Sequence, residues 1–212
     1  FHRAYDGGSI KDKFRGHNLA LKLHERGFRI NFTLMFEPYQ TALALQARPY
    51  FINAFIRQRL HSTKMIKYYL DEFKLTGDDK FIKDLRNFFF DKDFIPPSSD
   101  KMELDEVKKM GERILKYRNY DNPEGMDGLD NVRHSLRILR NSNLPDTRLI
   151  ICSMEGEEMY QAIDKLLTEP EFNDMVQRVI ITAEPEYLAK FTSTPQVISY
   201  QRRFLNAALG QR

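Results

Sequence analysis

Apolar positions in this chain follow two rhythms, and their succession predicts the fold class. Near-continuous apolar runs of strand length occur at 28–36 (FRINFTLMF), 49–56 (PYFINAFI), 148–153 (RLIICS) and 178–182 (RVIIT). Runs of this kind suit parallel strands covered on both faces. Each is followed by a helix-like segment, which predicts βα units and an α/β class. The first helix is predicted over 12–26, with Leu19 and Leu23 on one face and Gly27 as its stop. Pro38 stands where a first helical turn tolerates proline, and the helix continues through Ala47. Pro49 is acceptable only at the beginning of a strand.

Residues 60–145 contain no strand pattern. Helices are predicted at 62–74, 77–90, 102–119 and 127–141, broken at Thr76-Gly77, Pro96-Pro97-Ser98-Ser99 and Asn122-Pro123-Glu124-Gly125. So long a span between two strands reads as a helical insertion rather than a connection. The expected organisation is therefore 1–60 for the first βα units, 61–146 for the insertion, and 147–212 for the last βα units and C-terminal helices. That last part carries helices at 155–168, 185–191 and 195–208, with Thr194 as an N-cap before Pro195. The aromatic run FFFDKDFI at 88–95 is too continuous for one helix face. It is either core for the insertion or a buried contact with a partner.

Composition narrows the classes. With 212 residues, 42% of them hydrophobic, the chain can bury a sizeable core. Its 33 basic and 30 acidic side chains leave +3, which gives no bulk electrostatic case for nucleic acid or an acidic membrane. No apolar run approaches the roughly 18 residues of a membrane span. The lone Cys152 cannot form an internal disulfide, which favours a reducing compartment. The five histidines show no metal-ligand spacing with each other or with Cys152, so neither metal nor cofactor is expected. The chain begins with Phe rather than Met, which reads as a processed or truncated chain.

The stretch GFRINFTLMFEPYQTALALQA carries a resemblance. Asn31, Thr33, Leu34, Phe36 and Gln40 match the Asn-x-Thr-Leu-x-Phe strand and Gln-Ala helix of the transaldolases and the related fructose phosphate aldolases. PYFINAFIRQR, LIICSMEG and RVIITAEPEYL are similar to later strand ends of that family. The resemblance covers residues 12–60 and 147–192. It implies a parallel (β/α) TIM-type barrel, of which these four strands make the second half, so the fold expected is a partial barrel with a large helical insertion.

The family's chemistry passes through a lysine Schiff base on a sugar phosphate. That lysine belongs to a Lys-x-Pro motif ahead of the first helix, and FHRAYDGGSIKDK contains none. If FHRAY is the strand, Arg3 stands near the lysine's place and cannot form an imine. If the strand ends at Ser9-Ile10-Lys11, Lys11 is the candidate nucleophile. Thr33, in the family, positions water or substrate. Asn31, Asn53 and Ser153 are the implied substrate contacts. The family's phosphate arginine falls on Gln58, with Arg57 and Arg59 beside it to supply a cation. A second one falls on Glu155, whose charge would repel phosphate. Glu37 and Glu155 otherwise read as solvated carboxylates at helix starts.

The function expected is therefore a transaldolase-like protein without catalysis, a structural or accessory subunit with protein partners in a larger assembly. An active transaldolase using Lys11 on sugar phosphates is the alternative. A second alternative is a nucleic-acid-associated module, because Arg57, Arg59, His61, Lys64 and Lys67 form one basic cluster and Lys108, Lys109, Arg113, Lys116 and Arg118 another, interleaved with Tyr68, Tyr69, Tyr117 and Tyr120. Asp71, Glu72, Glu103, Asp105, Glu106 and Glu112 share those helices and neutralise them.

Overall fold

A computed structural model describes residues 9–96, 102–154, 156–183 and 195–210. Arg3, Glu155 and the helix expected at 185–191 lie outside the described residues. The elements in chain order are α1 (Ile10–Lys13), α2 (Arg15–Glu25), β1 (Asn31–Phe32), α3 (Pro38–Leu45), β2 (Phe51–Phe55), α4 (Arg57–Thr76) and α5 (Lys80–Asp91). Then come α6 (Leu104–Tyr117), α7 (Pro123–Met126), α8 (Asp130–Arg140), β3 (Arg148–Cys152), α9 (Glu157–Thr168), a 3-10 turn at Asn173–Arg178, β4 (Val179–Ile181) and α10 (Pro195–Ala208).

The chain is α/β, with one four-stranded parallel sheet in the order β1-β2-β3-β4. Asn31 pairs with Phe51, Asn53 with Ile150, Phe55 with Cys152, and Ile151 with Ile181. Strand parity divides the side chains between two faces. Ile52 and Ala54 of β2 and Leu149 and Ile151 of β3 are fully buried in one cluster with Ala44, Leu45, Leu136, Leu139, Ile163 and Leu166. This face thus packs on α3, α8 and α9, at about 1.5–3 kcal/mol for each large side chain removed from water. The opposite parity presents Asn31, Phe51, Asn53, Phe55, Ile150, Cys152 and Ile180, none of which belongs to a buried apolar cluster. Among the described residues the expected cover is present on one face only.

The first strand departs from its predicted length of 28–36. Ile30 O accepts from Tyr50 N at 2.9 Å, and pairing returns at Met35 O, which accepts from Phe55 N at 2.9 Å. Between them Leu34 takes a positive φ of 56°, which is uncommon for a residue with a side chain. The turn reverses the expected alternation, so Leu34 is 61% exposed and Met35 only 1%. Beyond it Gln40 Oε1 accepts from the backbone N–H groups of Phe36 and Glu37 at 2.7 and 2.9 Å, which closes a capping box and starts α3 at Pro38.

The 57–126 helices have a core of their own. Ile66, Ile82, Leu85, Phe88, Phe89, Ile95, Val107 and Leu115 are buried together, so the aromatic run mostly faces inward rather than outward. Helix α4 starts directly at the end of β2 instead of at 62, and Gly77 ends it in the left-handed region at φ 68°. Helix α8, in contrast, contributes Val132, Leu136 and Leu139 to the cluster under the sheet. Gly125 makes the turn between the two parts possible, since a Cβ there would lie 2.0 Å from Arg118 O.

Candidate functional site

In parallel α/β sheets ligands gather beyond the carboxyl ends of the strands. Here that edge holds the turn after β1, the start of α4 and the end of β3. Ile56 N and Arg57 N donate to the carbonyls of Cys152 and Ser153 at 3.2 and 3.1 Å, so α4 begins stitched to β3. Ser153 has a positive φ of 62° and donates from Oγ to Gln58 Oε1 at 3.1 Å.

The structure brings some of the expected residues together. Asn53 Nδ2 donates to Asn31 Oδ1 at 2.7 Å, and the Cys152 thiol lies 3.8 Å from Asn53 Oδ1. These three stand on the face of the sheet opposite α3, α8 and α9, Asn31 exposed and Asn53 and Cys152 buried. Burial pushes the Cys152 thiol up to about 11, so it stays protonated at neutral pH. Thr33 and Arg57 are exposed, as is Lys11. The segment expected as a strand end at 9–11 is helical from Ile10, and Lys11 lacks the desolvated setting that activates a Schiff-base amine.

Arg59 occupies a different environment. It is buried, and its Nε and NH2 donate to the two Asp130 oxygens at 2.9 and 2.5 Å while NH1 donates to Glu37 Oε2 at 2.5 Å. Burial opposes its charge. Hydrogen bonding to Asp130 and the charge of Glu37 outweigh that opposition, and its pKa stands above the ordinary arginine value. Glu37 is therefore an ion-pair partner and not the solvated carboxylate expected at a helix start.

Arg118, at the end of α6, completes the cluster. Its NH1 donates to Arg59 O, Ser62 Oγ and Thr63 Oγ1 at 3.3, 2.8 and 3.0 Å, and its NH2 reaches Glu37 Oε1 at 3.4 Å. Its Nε is buried with no hydrogen-bond partner. Burial and then the neighbouring Arg59 pull its pKa below the ordinary value, with Glu37 and Asp130 opposing. Two guanidinium groups thus share two carboxylates at the junction of α3, α4, α6 and α8.

Beside this cluster lies a pocket of about 330 Å³. The connection from β1 to α3 supplies Phe36 and Glu37, α4 supplies Gln58, Arg59, His61 and Ser62, and the ends of α5 and α6 with the residues just after them supply Phe88, Lys92, Phe94 and Arg118. Sequence reasoning placed Arg59 beside a phosphate and Arg118 in a basic cluster of the insertion, and did not single out Asp130. Arg59 and Asp130 are 71 residues apart and Arg118 and Glu37 are 81 apart, with no local pattern to join them.

On the outer surfaces, basic side chains pair within their own helices, as Lys67 does with Asp71 and Lys109 with Asp105. Among the described residues no helix is long and apolar enough to cross a membrane. No family model matches the chain, and comparisons with curated proteins and with solved structures find no match either.

Proposed function

We propose that this chain is a catalytically inactive, transaldolase-like partial barrel that serves as a structural or accessory subunit of a larger assembly. The observation that carries the reading is the one-sided sheet. Among the described residues, four parallel strands in sequential order have helices on one face, while the other face carries Asn31, Phe51, Phe55 and Ile180 outside the buried apolar clusters. Purely parallel sheets are ordinarily covered on both faces or closed into barrels. Further β/α units placed against β1 and β4 would supply both the cover and the closure.

The state of the cations supports the inactive part of the reading. Arg59 spends its charge on Glu37 and Asp130, and Lys11 sits exposed on a short helix. Asn31, Asn53 and Ser153 then offer neutral hydrogen bonds, and the Cys152 thiol beside them stays protonated. Such groups bind a sugar phosphate weakly, because charge-assisted contacts provide most of the grip on phosphate.

Borohydride trapping with fructose 6-phosphate, read by mass spectrometry, tests the chemistry. No adduct on Lys11 is expected, and a stoichiometric adduct there would return the chain to the active aldolases. The assembly part is tested on the native complex by gel filtration with Ile180→Asp and Phe55→Asp. Both variants should elute as smaller species than the parent. Unchanged elution of correctly folded variants would refute the role of the open face.

A further inference from the structure

The pocket between the β1–α3 connection and the helices α4 to α6 has features of a ligand site that owe nothing to the second face of the sheet. Its lining carries three cations, Arg59, Arg118 and Lys92, against the single carboxylate of Glu37, with Asp130 behind Arg59. Three cations therefore face two carboxylates. Both Glu37 oxygens are already engaged, one by Arg59 and the other, at 3.4 Å, by Arg118.

Arg118 is the under-compensated member. It is 4% exposed, its NH1 meets only neutral acceptors, and its Nε has no partner. A buried guanidinium with so little neutralisation favours an added anion within several ångströms, because the interior screens charge poorly. Lys92, at the C-terminal end of α5, contributes an exposed ammonium at the mouth. Asp91 and Asp93 flank it in the chain but are not part of the lining, and His61 adds a donor from α4.

The rest of the wall is aromatic. Phe36, Phe88 and Phe94 line the pocket, and the Phe94 ring centre is 5.9 Å from the Arg118 guanidinium carbon. A volume of about 330 Å³ is at the small end of ligand pockets, which are mostly apolar with a few placed polar groups. We infer that this pocket binds a small aromatic acid, its anionic group toward Lys92 and Arg118 and its ring among Phe36, Phe88 and Phe94. Because the lining joins the connection from β1 to α3 with α4, the end of α5 and the end of α6, the bound acid holds these segments together and stabilises the folded chain.

The test is isothermal titration of the full chain with 2-naphthoate, its neutral analogue 2-naphthamide, and inorganic phosphate, at low salt. Saturable one-to-one binding of 2-naphthoate is expected, at least tenfold tighter than that of the amide or of phosphate. Lys92→Glu, an exposed change that leaves the fold intact by circular dichroism, should weaken 2-naphthoate at least tenfold, whereas Lys83→Glu on the same helix should not. Absence of saturable binding to the folded parent overturns the site. Equal affinity for the amide overturns the charge argument, equal affinity for phosphate overturns the aromatic one, and indifference to Lys92→Glu removes the pocket as the location.

Discussion

Arg59 and Asp130 meet through a two-point ion pair, Nε to Oδ1 at 2.9 Å and NH2 to Oδ2 at 2.5 Å, with both side chains at most 5% exposed. The pair joins the first turn of α4 to the first residue of α8, and so fixes the helical insertion to the helix under the sheet. Removing one partner leaves the other charge buried and uncompensated. Arg59→Met or Asp130→Leu alone should therefore cost about 3–5 kcal/mol in urea unfolding, and the double variant should cost less than the two single losses added. Additive losses in the double variant would contradict the direct coupling.

Phe89 and Phe90 are adjacent yet physically opposite, one fully buried and the other 43% exposed. Phe89→Ala should lose about 3–5 kcal/mol, from lost transfer energy and the cavity left among Ile82, Leu85 and Phe94. Phe90→Ala should stay within about 0.5 kcal/mol of the parent. Comparable losses at both positions would mean that Phe90 contacts something besides solvent.

Cys152 provides a probe of the sheet's second face. Its thiol is buried and held near 11, so alkylation of the folded protein by iodoacetamide at pH 8 should be slow and should quicken once urea unfolds the chain. The sign follows from the direction of the shift. Burial favours the protonated thiol in the folded state, so between the ordinary thiol value near 9.0 and about 11 the unfolded chain gains thiolate first, and stability falls as pH rises through that window. Cys152→Ser should flatten the fall.

A second pH dependence belongs to the surface network on α8. The hydrogen bonds that Arg137 gives Glu124 and Glu171 hold both carboxyls below the usual carboxylate range. A depressed folded-state pKa contributes stability that is present above the unfolded value and is lost as pH falls through the folded one. Stability should accordingly decline below about pH 4.5, and Arg137→Met should shrink that decline. Both carboxylates are more than a third exposed, so the difference should be at most about 1 kcal/mol. Parent and variant acid profiles that superimpose would count against the network.

The four parallel strands, the helix opened by Pro38 and Gln40, and the wholly helical span after β2 were written in local pattern. Strand runs, caps and turn residues act over a few neighbours, so a sequence displays them directly. The inward or outward setting of Leu34 and Met35 was not, because one positive φ reverses strand parity without altering composition. Asn31 and Asn53 were each legible as polar groups on a strand, but their hydrogen bond depends on the pairing of β1 with β2.

Tertiary structure alone decided the fate of the charges. Arg59 lies 22 residues from Glu37 and 71 from Asp130, Arg118 lies 81 from Glu37, and nothing local marks them as partners. Periodicity records which side chains leave water, whereas the partner of a buried charge is set by where the folded chain brings distant segments together. The sequence by itself therefore determined the α/β architecture of this protein and the polar character of its strand ends. The fold decided that the buried arginine beside them is bound to carboxylates, and that a cationic, aromatic pocket lies next to it.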